Sequence, residues 1–302
     1  MHGWNRWWTI LVISCIITLT WRQIAAMTAD LLYLAAGHPV LAANSQSKLS
    51  LLRAAQQLAP YAIFIYNREG MIYATGGDAE AASAAFEAAL QADPANGTAL
   101  NNLAVIADQQ AELQTAMELQ TQAVVAEPNS AAIWYNLGAL QMEYDDAVAA
   151  ERSFREATRI AGDWALPYIQ LSKLYLDKRD NLAAIETARQ AIHLDASAAA
   201  PHLVLIDALA RRCEWSAALT AANEAQQALS PQPGLEARRA LILDALGEKK
   251  AALTQLEALF LRTTDPHLRW QIGQEITAMR RASLGGSSNT QNKLTNSVSR
   301  CE

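Results

Sequence analysis

The sequence predicts an all-α repeat array preceded by one apolar N-terminal helix, and three observations carry that prediction. A pattern of small and large apolar residues returns about every 34 residues through most of the chain. Alanine, the residue of highest helix propensity, fills the segments between the pattern's fixed points. Glycine and proline punctuate those segments in phase. A repeat array of this kind leaves little chain for an active site, so binding is the function class it points to.

The first element is residues 1–27, read as a signal-anchor or transmembrane helix. Trp7 to Trp21 carries no charge and has tryptophans at both edges, which suits two bilayer interfaces. At 1.5 Å per residue this core spans about 22 Å, short of a hydrocarbon layer of roughly 30 Å. Continuation past a snorkelling Arg22 into Ile24, Ala25, Ala26 and Met27 closes the gap, so the expected membrane contact runs over 7–27. A cleaved secretory signal and a lipoprotein signal acylated at Cys15 are the competing readings. Cleavage after Ala26 would put Ile24 at a site that favours small residues, and Val40-Leu41-Ala42 lies too far downstream. For acylation, Val12-Ile13-Ser14-Cys15 resembles a lipobox, but the apolar run continues well beyond Cys15. Arg6 and the terminal amine oppose Arg22, a bias toward N-terminus inside and repeats extracytoplasmic; a secreted or periplasmic location is the alternative.

Residues 28–62 follow as a degenerate repeat or cap. Leu49, Leu52, Ala55, Leu58 and Pro60 stand one period before the first full copy, and Thr28 to Ala36, with apolar Leu31, Leu32 and Leu34, supplies the preceding helix.

The full copies begin at Ile63. The anchor is Gly77 to Ala82 with Phe86, Ala89 and Pro94, preceded by Tyr66, Gly70 and Tyr73. The clearest copy is Trp134-Tyr135-Asn136-Leu137-Gly138 with Ala150, Phe154 and Ala157. Later copies keep phase through Tyr168, Ser172 and Ala184, then Leu205, Leu209 and Ala218, then Ala240, Gly247 and Ala252. This pattern resembles the tetratricopeptide repeat, a helix-turn-helix unit in which small residues stand where two helices touch and large apolar ones plug the interface. The resemblance implies an α-solenoid of six units, 63–96, 97–130, 131–164, 165–198, 199–232 and 233–266. Gly77 and Gly247 mark the turn inside a repeat, and Cys213 occupies the same slot, so it reads as a turn residue. Pro167, Pro201 and Pro233 fall in the first turns of helices, where a missing N–H is tolerated.

Stacked repeats need polar caps. Residues 267–281 read as a cap helix, with Leu268, Trp270, Ile272, Ile276 and Met279 apolar and Arg269, Gln271, Glu275 and Arg280 on the wetter side. The stretch 282–302 is rich in Ser, Asn, Gly and Thr and is expected to be disordered.

A net charge of -6 offers no basic field for nucleic acid. The five histidines have no metal-ligand spacing, Cys213 and Cys301 give no paired framework, and no nucleophile elbow or phosphate loop occurs. No catalytic residue, metal or cofactor is expected. Asp145-Asp146 and Asp177 near Asp180 read as helix caps or turn residues, and Asn96-Gly97 as a turn.

The family's concave face, mapped onto this chain, includes Asn67, Met71, Asn101, Asn102, Asp108, Tyr135, Asn136, Met142 and Glu143, then Lys173, Asp177, Asp207 and Arg211. Asn102 and Asn136 resemble the asparagines with which chaperone-binding members hold a terminal carboxylate. The matching cation positions here are Thr98, Leu166 and Gln170, which removes the charge-assisted bonds and favours a structural role for the asparagines. The expected partner site is therefore Asn102, Asp108, Tyr135, Asn136, Glu143, Lys173, Asp177 and Arg211, taking a protein or peptide. The function that follows is a non-enzymatic membrane-anchored scaffold in a cell-envelope assembly. The rivals are a secreted or soluble co-chaperone-like adaptor with a cleaved signal and an accessory subunit of an envelope enzyme such as a transferase.

Overall fold

A computed structural model describes residues 4–38 and 44–283. Nearly all of the tail expected to be disordered, the Val40-Leu41-Ala42 stretch and Cys301 lie outside the described residues. Within them every element is helical. After α1 (Trp4–Gly37) and α2 (Ser45–Leu58) come six pairs: α3 (Ile63–Thr75) and α4 (Ala79–Ala92), α5 (Gly97–Gln109) and α6 (Leu113–Ala126), α7 (Ala131–Glu143) and α8 (Ala147–Ile160). The series continues with α9 (Ala165–Asp177) and α10 (Asn181–Leu194), α11 (Ala199–Arg211) and α12 (Trp215–Ala228), α13 (Pro233–Ala245) and α14 (Lys249–Arg262), and closes on α15 (Pro266–Ser283).

One set of backbone devices builds each pair. Gly77, Ala111, Asp145, Arg179, Cys213 and Gly247 all adopt positive φ, between 58° and 87°, at the turn between the two helices. At Gly77 the next amide, that of Asp78, donates to the carbonyl of Tyr73 and the Gly77 amide to that of Ala74, a Schellman closure that satisfies the carbonyls left over at the helix end. The same two bonds recur at Ala111, Arg179, Cys213 and Gly247. Cys213 is thus a turn residue, and its sulfur is also disulfide-bonded, a pairing the cysteine spacing had not disclosed. Asp78, Asp146 and Asp180 cap the second helices by accepting from the amides of Ala81, Ala149 and Ala183. Asn96 caps α5 the same way, so Asn96 is a helix start as well as part of a turn.

A second device closes the turn between repeats. The Tyr66 hydroxyl donates to the carbonyl of Pro60, and the Trp134 indole N–H to that of Pro128, six residues back in each case. His202 stands in the same slot with its Nε2 3.0 Å from the Ala196 carbonyl.

The chain divides into two compact units, 1–144 and 145–302. In the first, α1 to α7 stack side by side, with Phe86 fully buried against Gly70 and with Ala82, Ala89, Ala116 and Ala123 at the helix contacts. Helix α1 runs unbroken through the expected division at 27/28, because neither proline nor glycine interrupts it before Gly37. Its last third packs Ala29, Leu32, Tyr33 and Ala36 against Leu52, Ala55 and Ile65, whereas Leu31 and Leu34 face outward. Among the described residues no helix is long and apolar enough to cross a membrane.

In the second unit Ala184, Ala188, Ala218, Ala222 and Ala252 occupy the contacts, and α15 seals the last pair with Ile272, Ile276 and Met279 on Leu256 and Leu259. The wetter side assigned to α15 needs correction. Glu275 lies between Ile272 and Met279 on the same helical face and is 2 % exposed, while Trp270 is turned out.

Candidate partner-binding faces

Each first helix turns one side away from its own second helix, and there most of the candidate residues sit. In the first unit the polar ones are engaged with one another. Gln120, fully buried on α6, stands where Phe86 stands one repeat earlier. A polar side chain in that plug position needs partners, and it finds two: its Nε2 donates to the Ile133 carbonyl at 2.7 Å and to Asn101 Oδ1 at 3.0 Å. Asn101 Oδ1 also accepts from Asn136 Nδ2 at 2.8 Å. The result ties α5, α6 and α7 together, and Asn136 is a member of that tie. Asn102 donates to the Thr98 carbonyl of its own helix. Each asparagine that resembles a carboxylate clamp therefore commits an amide N–H inside the protein.

The carboxyls of Asp108 on α5 and Glu143 on α7 lie close enough to influence each other's charge. Desolvation and then the neighbouring Asp108 charge raise the Glu143 carboxyl above the usual range. Tyr135 is half-buried on the same helix, and Met142 is exposed beside Glu143. Toward α1, a depression of about 510 Å³ includes Tyr33, Phe64, Asn67, Arg68 and Met71 in its lining. Tyr33 meets Phe64 edge-on at 4.8 Å, and the Arg68 guanidinium lies 4.7 Å over the Tyr33 ring. The exposed character of this face is thus aromatic and thioether surface, with two carboxylates at the α5–α7 end.

The second unit carries Lys173 and Asp177, both exposed on α9, and Arg211 on α11. Arg211 donates to the Leu176 carbonyl in the last turn of α9, a bond that satisfies a helix end and joins two successive first helices. Asp207, one turn earlier, is buried and accepts from Nε and Nη2 of Arg238 on α13, at 2.7 and 3.0 Å. These two residues pair structurally. Glu151, which accepts from Lys178 and lies against Arg155, is held below the usual carboxylate range: burial alone would raise it, but the Lys178 bond and the two cationic charges outweigh that.

Gln120 was missed by sequence reasoning. A glutamine at a plug position in an otherwise apolar register was the signal that could have found it. No group of three or more metal-ligating side chains occurs among the described residues.

No curated protein matches the chain. Among solved structures, PilF of Pseudomonas aeruginosa superposes with a TM-score of 0.60 at 18 % identity, covering 71 % of this chain and 97 % of that one. A tetratricopeptide repeat protein from Parabacteroides merdae gives 0.52 at 16 % identity over 84 % and 99 %. YrrB, described as having an unusual peptide-binding site, gives 0.55 at 16 % identity over 63 % and 97 %. At such identities the likeness is one of fold. The tetratricopeptide repeat profile matches residues 67–131 and 169–233, the two stretches that hold the Asn101–Gln120 tie and the Asp207 site. With the repeated turn geometry, those matches identify the two stretches as tetratricopeptide repeats.

Proposed function

We propose that the chain is a non-enzymatic, membrane-anchored scaffold that holds an extended protein or peptide partner on its first-helix faces, within a cell-envelope assembly. One observation supports the binding reading above the others. In the first unit the asparagines are tied into the structure, while Phe64, Met71 and Met142 remain exposed on α3 and α7 and Glu143, paired with Asp108, stands next to Met142. Large apolar side chains left in water on first helices suit a partner's apolar residues, and the carboxylate pair suits a lysine or arginine in the same segment. Ile17, Leu19, Trp21, Ile24 and Met27, all exposed on α1 around Arg22, support the anchor.

Partner capture tests the binding half. With the double substitution Asp108→Lys and Glu143→Lys, co-purification of the partner from native membranes is expected to fall at least tenfold with helicity unchanged. Undiminished capture would sink the face assignment. In the same preparations the unaltered chain is expected to stay with the membrane pellet through an alkaline wash, and its release would sink the anchor.

A further inference from the structure

Helix α1 has two faces, and the core uses one of them. Ala29, Leu32, Tyr33 and Ala36 turn inward onto α2 and α3. About 180° away around the helix run Ile24, Met27, Leu31 and Leu34, every one of them exposed. Their spacing of three and four residues is the a/d pattern of a coiled-coil seam. Ile17 continues it by one heptad as an a position and Thr20 as a d position, and in the sequence Ile13 and Ile10 keep the same register.

We propose that this seam is a homodimer interface, in which α1 pairs in parallel with α1 of a second copy of this chain. Lipid does not account for the part of the seam that lies beyond the 7–27 anchor. Leu31 and Leu34 lie where the helix is already packed on the repeats and carries exposed Thr28 and Asp30 at its sides, so it is no longer apolar all round. A stripe repeating every 3.5 residues is what a supercoiled helical neighbour requires. The area suffices: Ile17, Ile24, Met27, Leu31 and Leu34 are 58–67 % exposed, and two such helices would bury on the order of 1,200 Å² in total, the lower edge of a stable interface. Charge permits parallel pairing, since the flanking positions that meet across such a dimer, Gln23 with Thr28 and Asp30 with Ala35, bring no like charges together. Isoleucine at Ile17 and Ile24, both a positions, suits two strands. Thr20 sits in the seam without an orphan hydroxyl, because its Oγ1 already donates to the Ile17 carbonyl. The seam is separate from the partner face on α3, α5 and α7, so either can fail alone.

Cysteine crosslinking of the full chain in native membranes tests it. In a Cys15→Ser background, cysteines are placed singly at Ile24, Met27, Leu31 and Leu34, and at the exposed off-seam positions Arg22 and Ala26. Oxidation is expected to give covalent dimer at the four seam positions at least fivefold above the two controls, with the Cys15→Ser parent as baseline. The companion variant Leu31→Glu with Leu34→Glu alters side chains that are exposed in a single copy. It is expected to keep its helicity and to sediment in detergent as a monomer, where the unaltered chain sediments as a dimer. Equal crosslinking at all six positions, or a monomeric mass for the unaltered chain, would overturn the proposal.

Discussion

Replacing Phe86 with alanine is expected to destabilise the first unit by about 3–5 kcal/mol, the loss typical of a fully buried phenylalanine. The ring fills the space that Gly70 leaves open: a Cβ at Gly70 would lie within 2.6 to 2.9 Å of three ring atoms. Neither residue can change alone without cost. Gly70→Ala should cost about 1–3 kcal/mol through overpacking, and the Gly70→Ala, Phe86→Ala double variant should lose less than the sum of the two, since the added methyl then enters vacated space. Urea denaturation of the four proteins, followed by far-ultraviolet circular dichroism, supplies the cycle. Met71→Ala, at an exposed position of the same helix pair, should cost under about 0.5 kcal/mol. A loss below about 1 kcal/mol for Phe86→Ala would contradict the packing described.

The second large effect is in pH. Burial, and then the neighbouring Asp244 charge, push Glu275 from 4.5 up to about 7. Burial raises Asp244 as well, opposed by the positive charge of Lys249 at the start of α14. Glu275 Oε1 and Asp244 Oδ1 have no hydrogen-bond partner, so each ionised carboxylate would be poorly compensated. A folded-state value above the unfolded one means that the folded chain holds its proton longer. The associated stability is complete below pH 4.5 and is lost as pH rises through about 7. A shift of this size corresponds to about 3 kcal/mol between pH 4.5 and pH 8. Glu151, lowered, contributes with the opposite sign, its stability being lost toward acid rather than toward pH 8. Urea midpoints at pH 5 and pH 8, read by hydrogen exchange in α15, should show the second unit weaker at pH 8. Glu275→Gln should remove most of the difference, and an unchanged difference would refute the assignment.

The helical class and the repeat unit were legible because their determinants are local and recur. Alanine at 82, 116, 150, 184, 218 and 252 can be read without knowing what it touches, and each is fully buried. The turns were legible in part. Gly77 and Gly247 announce a left-handed residue, whereas Ala111 and Arg179 adopt the same conformation because the register imposes it. What the sequence could not show was the spending of polar groups. Asn136 and Arg211 look available in a list of face positions, yet a donor of each is committed, to Asn101 and to the Leu176 carbonyl, choices made by neighbours in other helices. Glu275 was misread for a related reason: its charge suggested solvent, while its helical phase, shared with Ile272 and Met279, buried it.

A photo-crosslinker at position 135 in native membranes tests whether a partner lies along the first-helix face. Tyr135 and Met142, both on α7, are expected to capture one and the same partner, while Glu118 and Gln122, exposed on the second helix α6, do not. Capture from α6 with none from α7 would contradict it.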